Sequence, residues 1–374
     1  MSDSTSVWHK LYNGETRISF IPRWRLWFAL SGVVIAIGVA SLVSQGLNLG
    51  IEFEGGVSWQ VPAGDASVDG MRGAVEDAGL ADATVQTVGT GSGERLRIKA
   101  ELQEGQDPVE IAAAIAEEAG VDADEVTQQT VSKSWGDQIT SKAQRALIVF
   151  LVLVSLYIAF RFEWKMALAT LLALLHDILV TVGVYSLFSF EVTPATVIAI
   201  LTILGYSIYD GIVVFDRIDE NAKALAVTGD RTYSTMVNDS MNQVLMRTLN
   251  TSITALLPIL SLLVLGSLVL GATTLQEFAL ALFIGLASGA YSSIFIASPA
   301  LALLKEREER WRTVRQRVER LGGRVPAPAP VAAAPVARDA DDAEEEISSI
   351  RQASREQPTA RAIQARGRKK QRRR

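Results

Sequence analysis

The 374-residue sequence predicts a polytopic α-helical membrane protein with six transmembrane helices and a small α+β domain outside the membrane. Three observations carry that prediction. The chain is 49% hydrophobic with a mean hydropathy of +0.23, high for a soluble chain of this size. Six stretches reach the ~20 mostly apolar residues that a bilayer requires. Lysines and arginines crowd alternate connections and are missing from the others, the pattern that sets membrane orientation.

The elements follow in chain order. Residues 1–25 are polar and carry Lys10, Arg17, Arg23 and Arg25. The first span, 26–46, is free of charge. Its apolar core exceeds the ~7–15 residues of a secretory signal and no small-x-small site closes it, so an uncleaved anchor is expected. Residues 47–141 form the extramembrane domain; from 48 to 141 there are 18 Asp and Glu against 5 Lys and Arg. This domain reads β-α-β-β-α-β: VSWQV, a helix over 68–78 stopped by Gly79, ATVQTV and LRIKA around the turn GTGSGE, a second helix, and a last strand over 125–131. The second helix has Asp107 as cap, Pro108 first, Glu110 third and Gly120 as stop. That order fits a ferredoxin-like sandwich, and the acidic surface fits a solvated face.

Spans two to six are expected at about 143–162, 166–189, 192–216, 248–271 and 276–304. The second is short, and requires Lys142, Arg145 and Arg161 to snorkel toward the interfaces. Arg161 and Lys165 lie between spans two and three, and Arg217, Lys223 and Arg231 between four and five. After the last span come 19 of the chain's 36 basic residues, whereas the connections 190–192 and 272–277 have none. Both termini are therefore expected in the cytoplasm. Residues 305–324 read as a charged helical extension of the last span. The Pro-Ala repeats and opposite-sign charge blocks of 325–374 cannot bury a core and read as disordered. Its basic end, RGRKKQRRR, suits anionic lipid head groups or ribosomal RNA, and an inert tail fits equally well.

The candidate site lies inside the spans. Asp210 sits in the apolar fourth span, where a carboxylate costs on the order of 3 kcal/mol and is by default functional. His176 and Asp177 fall ~15 Å into the third span at 1.5 Å per residue, near the midplane. Arg247 heads the fifth span. Tyr206, Ser207 and Tyr209, with Thr248, Thr251 and Ser252, add a seam of hydroxyls suited to a hydrated proton path. Gly205 and Gly211 bracket Asp210 and leave room for a helix or water; Gly285 and Gly289 form a GxxxG packing face. Burial disfavours the charged form of Asp210 and a nearby Arg247 favours it, so a helix shift that separates them would drive proton uptake. The alternative is a set of permanent structural ion pairs. His176 and Asp177 are expected to brace the bundle, because neighbours on a helix point ~100° apart and cannot both face one path.

Other chemistries are excluded or weak. With no cysteine there is no disulfide or thiol chemistry, and two histidines do not make a structural zinc site. There is no GxxxxGK[ST], so an ion gradient or a partner's nucleotide must supply energy. The GxGD of intramembrane aspartyl proteases is missing. No cofactor and no enzymatic activity are expected; the coupling ion is H⁺ or Na⁺.

Five segments, taken in order, give the chain a family resemblance: GLNLGIEFEGG, LLHD, GYSIYDGIVVFDRIDEN, MNQVLMRTLNTSITA and GLASGAYSSIFIASPAL. Over roughly residues 1–305 the sequence resembles the SecF family, within the RND-type transporter superfamily. The resemblance implies a bacterial plasma-membrane subunit that pairs with SecD, joins the SecYEG channel and uses the proton motive force, or sodium, to help export preproteins. It implies that Asp210 is the family's aspartate in GYSxxD and Arg247 its arginine in RT-x-x-TS. Glu52 stands where the family's GIDFxGG pattern has Asp. Half of an exporter for lipids or small molecules, and a passive translocon scaffold, are the rival readings.

Overall fold

The computed structural model describes residues 18–64, 66–89, 94–103, 105–268 and 273–321; the proposed disordered tail lies outside them. Among the described residues, six helices are long and apolar enough to cross a membrane. They are α1 (Trp24–Gln45), α5 (Lys133–Arg161), α6 (Trp164–Leu187), α7 (Pro194–Thr228), α8 (Tyr233–Leu268) and a last span made of α9 (Thr273–Ser292), a π-helical segment (Ser293–Ala297) and α10 (Ser298–Lys305). Three of them form the inside of the bundle. The apolar windows of α6, α7 and the last span are 50%, 44% and 61% buried, against 17%, 11% and 11% for α1, α5 and α8. The expected ionisable residues of spans three and four therefore lie on inner helices.

Local chemistry sets several ends. α7 starts at a capping box between Thr193 and Thr196 with Pro194 first, and stops at Gly229, whose φ of +56° suits glycine. The small residues at the α1–α6 crossing let two backbones touch: a Cβ on Gly38 would lie 2.7 Å from the Cα of Gly183. Ser41 and Ser186, 3.0 Å apart, bond across the same crossing.

Between α1 and α5 lies the extramembrane domain: β1 (Asn48–Leu49), α2 (Ile51–Glu54), β2 (Gly56–Pro62), α3 (Val68–Asp77), β3 (Thr84–Val88), β4 (Arg95–Ala100), α4 (Pro108–Ala119) and β5 (Thr127–Val131). Its antiparallel sheet has the order β3-β4-β2-β5. Alternation divides the two faces. Val57, Trp59, Val61, Leu96 and Ile98 bury one face against Met71 and Val75 of α3 and Ile111 and Ile115 of α4. The opposite face carries Arg97 and Lys99. Asp107, Pro108 and Gly120 cap α4 as its sequence dictates. Gly55 and Gly56 hold φ of +84° and +110°, and a Cβ on either would run into the backbone of Lys133 or Ala100 at under 3 Å. This glycine pair seats α2 on the start of α5.

Several boundaries differ from the sequence reading. α5 begins at Lys133, capped by the Ser132 side chain, so its first turns belong to the domain junction and the helix is 29 residues long. Arg161 at its far end pairs with Asp216 at 2.7 Å. α8 starts at Tyr233, well before the apolar stretch. The charged segment after the last span is a separate helix, α11 (Glu309–Arg320), because the chain turns at 306–308. Trp311 of α11 packs on Tyr233 with ring centroids 4.9 Å apart. Lys165 binds Glu308 at 2.9 Å and Lys305 binds Glu163, closing this end of the bundle. Burial alone would push Glu308 up; the Lys165 bond and the Lys305 charge hold it below the usual carboxylate range.

Candidate functional site

α6, α7 and α9 meet on the carboxylate of Asp177, whose side chain is fully buried. Ser207 of α7 and Ser292 of α9 donate to its Oδ2 at 2.7 and 2.9 Å. Ser288 of α9 donates to Oδ1 at 2.9 Å, and the Nδ1 of His176 stands 3.1 Å from the same oxygen. All four acceptor directions of a carboxylate are filled. The Nε2 of His176 lies 3.1 Å from Ser31 Oγ, Ser31 donates to Tyr291 at 3.3 Å, and Tyr291 donates to the Trp27 carbonyl at 3.2 Å. The adjacent His and Asp thus meet each other, contrary to the ~100° separation of their Cα–Cβ directions. The imidazole is long enough to fold back along the helix onto its neighbour.

Asp210 lies three residues beyond Ser207 on the buried side of α7 and is 3% exposed. Ser293, at the start of the π-helical segment, stands beside its carboxyl group, and Asp177 is its nearest charged influence. Its Oδ2 is buried and finds no hydrogen-bond partner among the described residues, and the same is true of the Thr248 hydroxyl. An unpartnered buried oxygen is costly and rare. A carboxyl group in this setting can hold one proton and release it when the surroundings change.

The structure does not bring Arg247 to Asp210. Arg247 is exposed in a 370 Å³ groove shared with Val213, Asp216, Arg217, Glu220, Gln243 and Val244, and forms no ion pair among the described residues. On α7 that groove is lined from Val213 to Glu220, about one to three turns beyond Asp210. The hydroxyl seam is also split. Tyr206 donates to the Thr251 carbonyl at 2.9 Å, and Thr251 and Ser252 bond the Thr248 carbonyl of their own helix. Tyr209 faces outward, 53% exposed. Among the glycines, Gly285 packs on Ile203, and a Cβ on Gly289 would touch Ser207. A Cβ on Gly205 or Gly211 would meet no atom within 4 Å, so neither seats a close helix contact, although Gly211 is itself buried and Gly205 is exposed.

The sequence reading missed Ser288, Ser292 and Ser293, treating the run around them only as a packing face. Their signal was the i, i+4 spacing of Ser288 and Ser292, which puts two hydroxyls on one helix face. It also missed a second polar cluster where the domain meets the bundle. Arg97 binds Glu191, in the strand β6 (Glu191–Val192) that pairs in parallel with β1, and Glu277 of α9 at 2.6 Å. Lys99 reaches Glu191 at 3.3 Å, Asn48 at 2.7 Å and the Leu49 carbonyl at 3.0 Å. Burial would lower Arg97, but Glu191 and Glu277 hold it above its ordinary value.

Six spans, a sheet domain between the first two and acidic side chains at the centre of the bundle define a multi-span membrane protein with a polar site inside the membrane. Comparison with known proteins makes the class specific. The family model for the C-terminal part of the protein export membrane proteins SecD/SecF matches residues 111–307, and the SecD/SecF GG motif matches 40–64. Protein translocase subunit SecF of Streptomyces coelicolor is 43% identical over 319 residues, 85% of this chain and 85% of that protein. The SecF of Mycobacterium tuberculosis H37Rv is 41% identical, covering 83% and 72%. The chain belongs to the SecF family of protein translocase subunits. The crystal structure of SecDF from Thermus thermophilus, described as a translocon-associated membrane protein, superposes with a TM-score of 0.70 at 35% identity. That match covers 79% of this chain and 39% of the SecDF chain, so this chain spans about two fifths of the solved relative.

Proposed function

We propose that this chain pairs with SecD and couples inward proton flow to late steps of preprotein export at the SecYEG channel, with Asp210 as the proton carrier. The observation that carries the reading is Asp210 itself: buried between inner helices, with one oxygen unpartnered, while Arg247 lines a groove further along α7 and forms no ion pair among the described residues. Approach of that arginine would favour the carboxylate, and its retreat the protonated acid. The fused SecDF relatives support SecD as the partner. The basic connections support a plasma-membrane orientation with both termini inside. Sodium is the alternative coupling ion, and a passive scaffold the alternative role. Asp210→Asn in cells, with export of a secreted preprotein as readout, tests the reading: export stimulation is lost while the variant still co-purifies with SecD. Normal export would make the chain a scaffold.

A further inference from the structure

Asp177 and Asp210 are joined by two short paths, and both leave from the same oxygen of Asp177. One runs through Ser207, which donates to Oδ2 and sits one turn before Asp210 on α7. The other runs through Ser292, which donates to Oδ2 and is followed by Ser293, the residue beside Asp210. Consecutive serines of one helix thus address one aspartate each. They do so where α9 gives way to a π-helical segment, a local widening common at functional sites and able to change register at low cost. Ser298 donates back to the Ser293 carbonyl at 3.0 Å, inside the same distortion. The other oxygen of Asp177 is held by Ser288 and His176, neither of which adjoins Asp210 in sequence.

We propose that Asp177 is a positioning residue for Asp210: through Oδ2 it fixes Ser207 and Ser292, and with them the segments of α7 and α9 that hold Asp210 where it gains and loses its proton. His176 completes this role by holding Asp177 from the Oδ1 side. The titratable groups around Asp177 among the described residues are His176 on α6 and Asp210 on α7, with the Tyr291 phenol of α9 and Ser31 of α1 reaching only His176. Asp210 is the group that changes. This deepens the proton-carrier reading and rests on it.

The test compares hydroxyls on the two sides of one carboxylate. Ser207→Ala and Ser292→Ala each remove a bond from Oδ2; Ser288→Ala removes an equivalent bond from Oδ1. Each variant is made in the complex with SecD and studied by infrared difference spectroscopy on acidification, alongside export and thermal stability. The carboxyl band of Asp210 is identified by its loss in Asp210→Asn. All three serine variants lower stability by similar amounts, since each leaves Asp177 one donor short. The Asp210 band moves, and export falls roughly tenfold, the cost of a misplaced reacting group, only for Ser207→Ala and Ser292→Ala. Equal spectra and equal export in all three would overturn the inference and leave the Asp210 reading standing. If Asp210→Asn itself loses neither the band nor export, it is the carrier reading that fails. If the Oδ2 variants do not assemble, Ser207→Thr and Ser292→Thr keep the hydroxyl, and their failure to restore the band position counts equally against the proposal.

Discussion

Two buried polar clusters share the helix α9, and they close their charges differently. At the junction of domain and bundle, Arg97 and Lys99 face Glu191 and Glu277: two cations, two anions, all at least 85% buried. Inside the bundle, Asp177 is satisfied by three serines and a histidine, while Asp210 has no cation partner among the described residues and one bare oxygen. A closed cluster of this kind is a joint, since breaking it strands charge away from water. An open carboxyl group is what a proton can enter and leave. α9 belongs to both regions, with Glu277 near one end and Ser288 and Ser292 near the other, and Ser293 follows in the π-helical segment. The joint and the site are therefore connected through one helix.

The largest effect that could break this comparison is at the joint. Arg97→Met leaves Glu191 and Glu277 buried with Lys99 alone, and is expected to cost about 3–5 kcal/mol. Thermal unfolding of the purified full chain in detergent checks it. The double variant Arg97→Met, Glu191→Met removes one charge of each sign and should recover most of the loss. A single variant as stable as the parent would mean that the cluster joins nothing.

A smaller effect concerns the support behind Asp177. Gly38→Leu drives a side chain into the Gly183 backbone, forces α1 from α6 and stretches the His176–Ser31 contact. The expected cost is about 1–3 kcal/mol. Gly32→Leu, which meets nothing within 4 Å, should be near neutral in the same unfolding assay.

Much of this architecture was legible in the sequence. Hydropathy and the Lys/Arg pattern located six spans, and Asp107, Pro108 and Gly120 marked α4 within a residue. The unusual position of Asp210 was visible because a carboxylate in an apolar run has no cheap explanation. The ends of α5 and α8 were not legible, since their first turns are polar and leave the hydropathy signal. Arg97, Glu191 and Glu277 looked like ordinary charges of a domain and two loops. Their partnership spans 94 and 180 residues of sequence, and only folding sets it. The expected closeness of Asp210 and Arg247 rested on helix starts; the structure places the arginine on the exposed side of α8.

The smallest effect lies at the far end of the bundle, where Glu308 provides a third, half-open case. Its folded value lies below the usual carboxylate value. The stability it adds is therefore present above that usual value and disappears as pH falls through the lower folded one. Unfolding measured from about pH 7 to about pH 3 should show that decline in the parent and a flatter curve in Glu308→Gln.

Proton uptake into vesicles carrying the chain with SecD tests the central claim most directly. Under an imposed gradient, the parent should take up protons and Asp210→Asn should not, while Arg97→Met with Glu191→Met, altered only at the joint, still should. Uptake by Asp210→Asn at the parent's rate would contradict the account, because the open carboxyl group would then carry nothing.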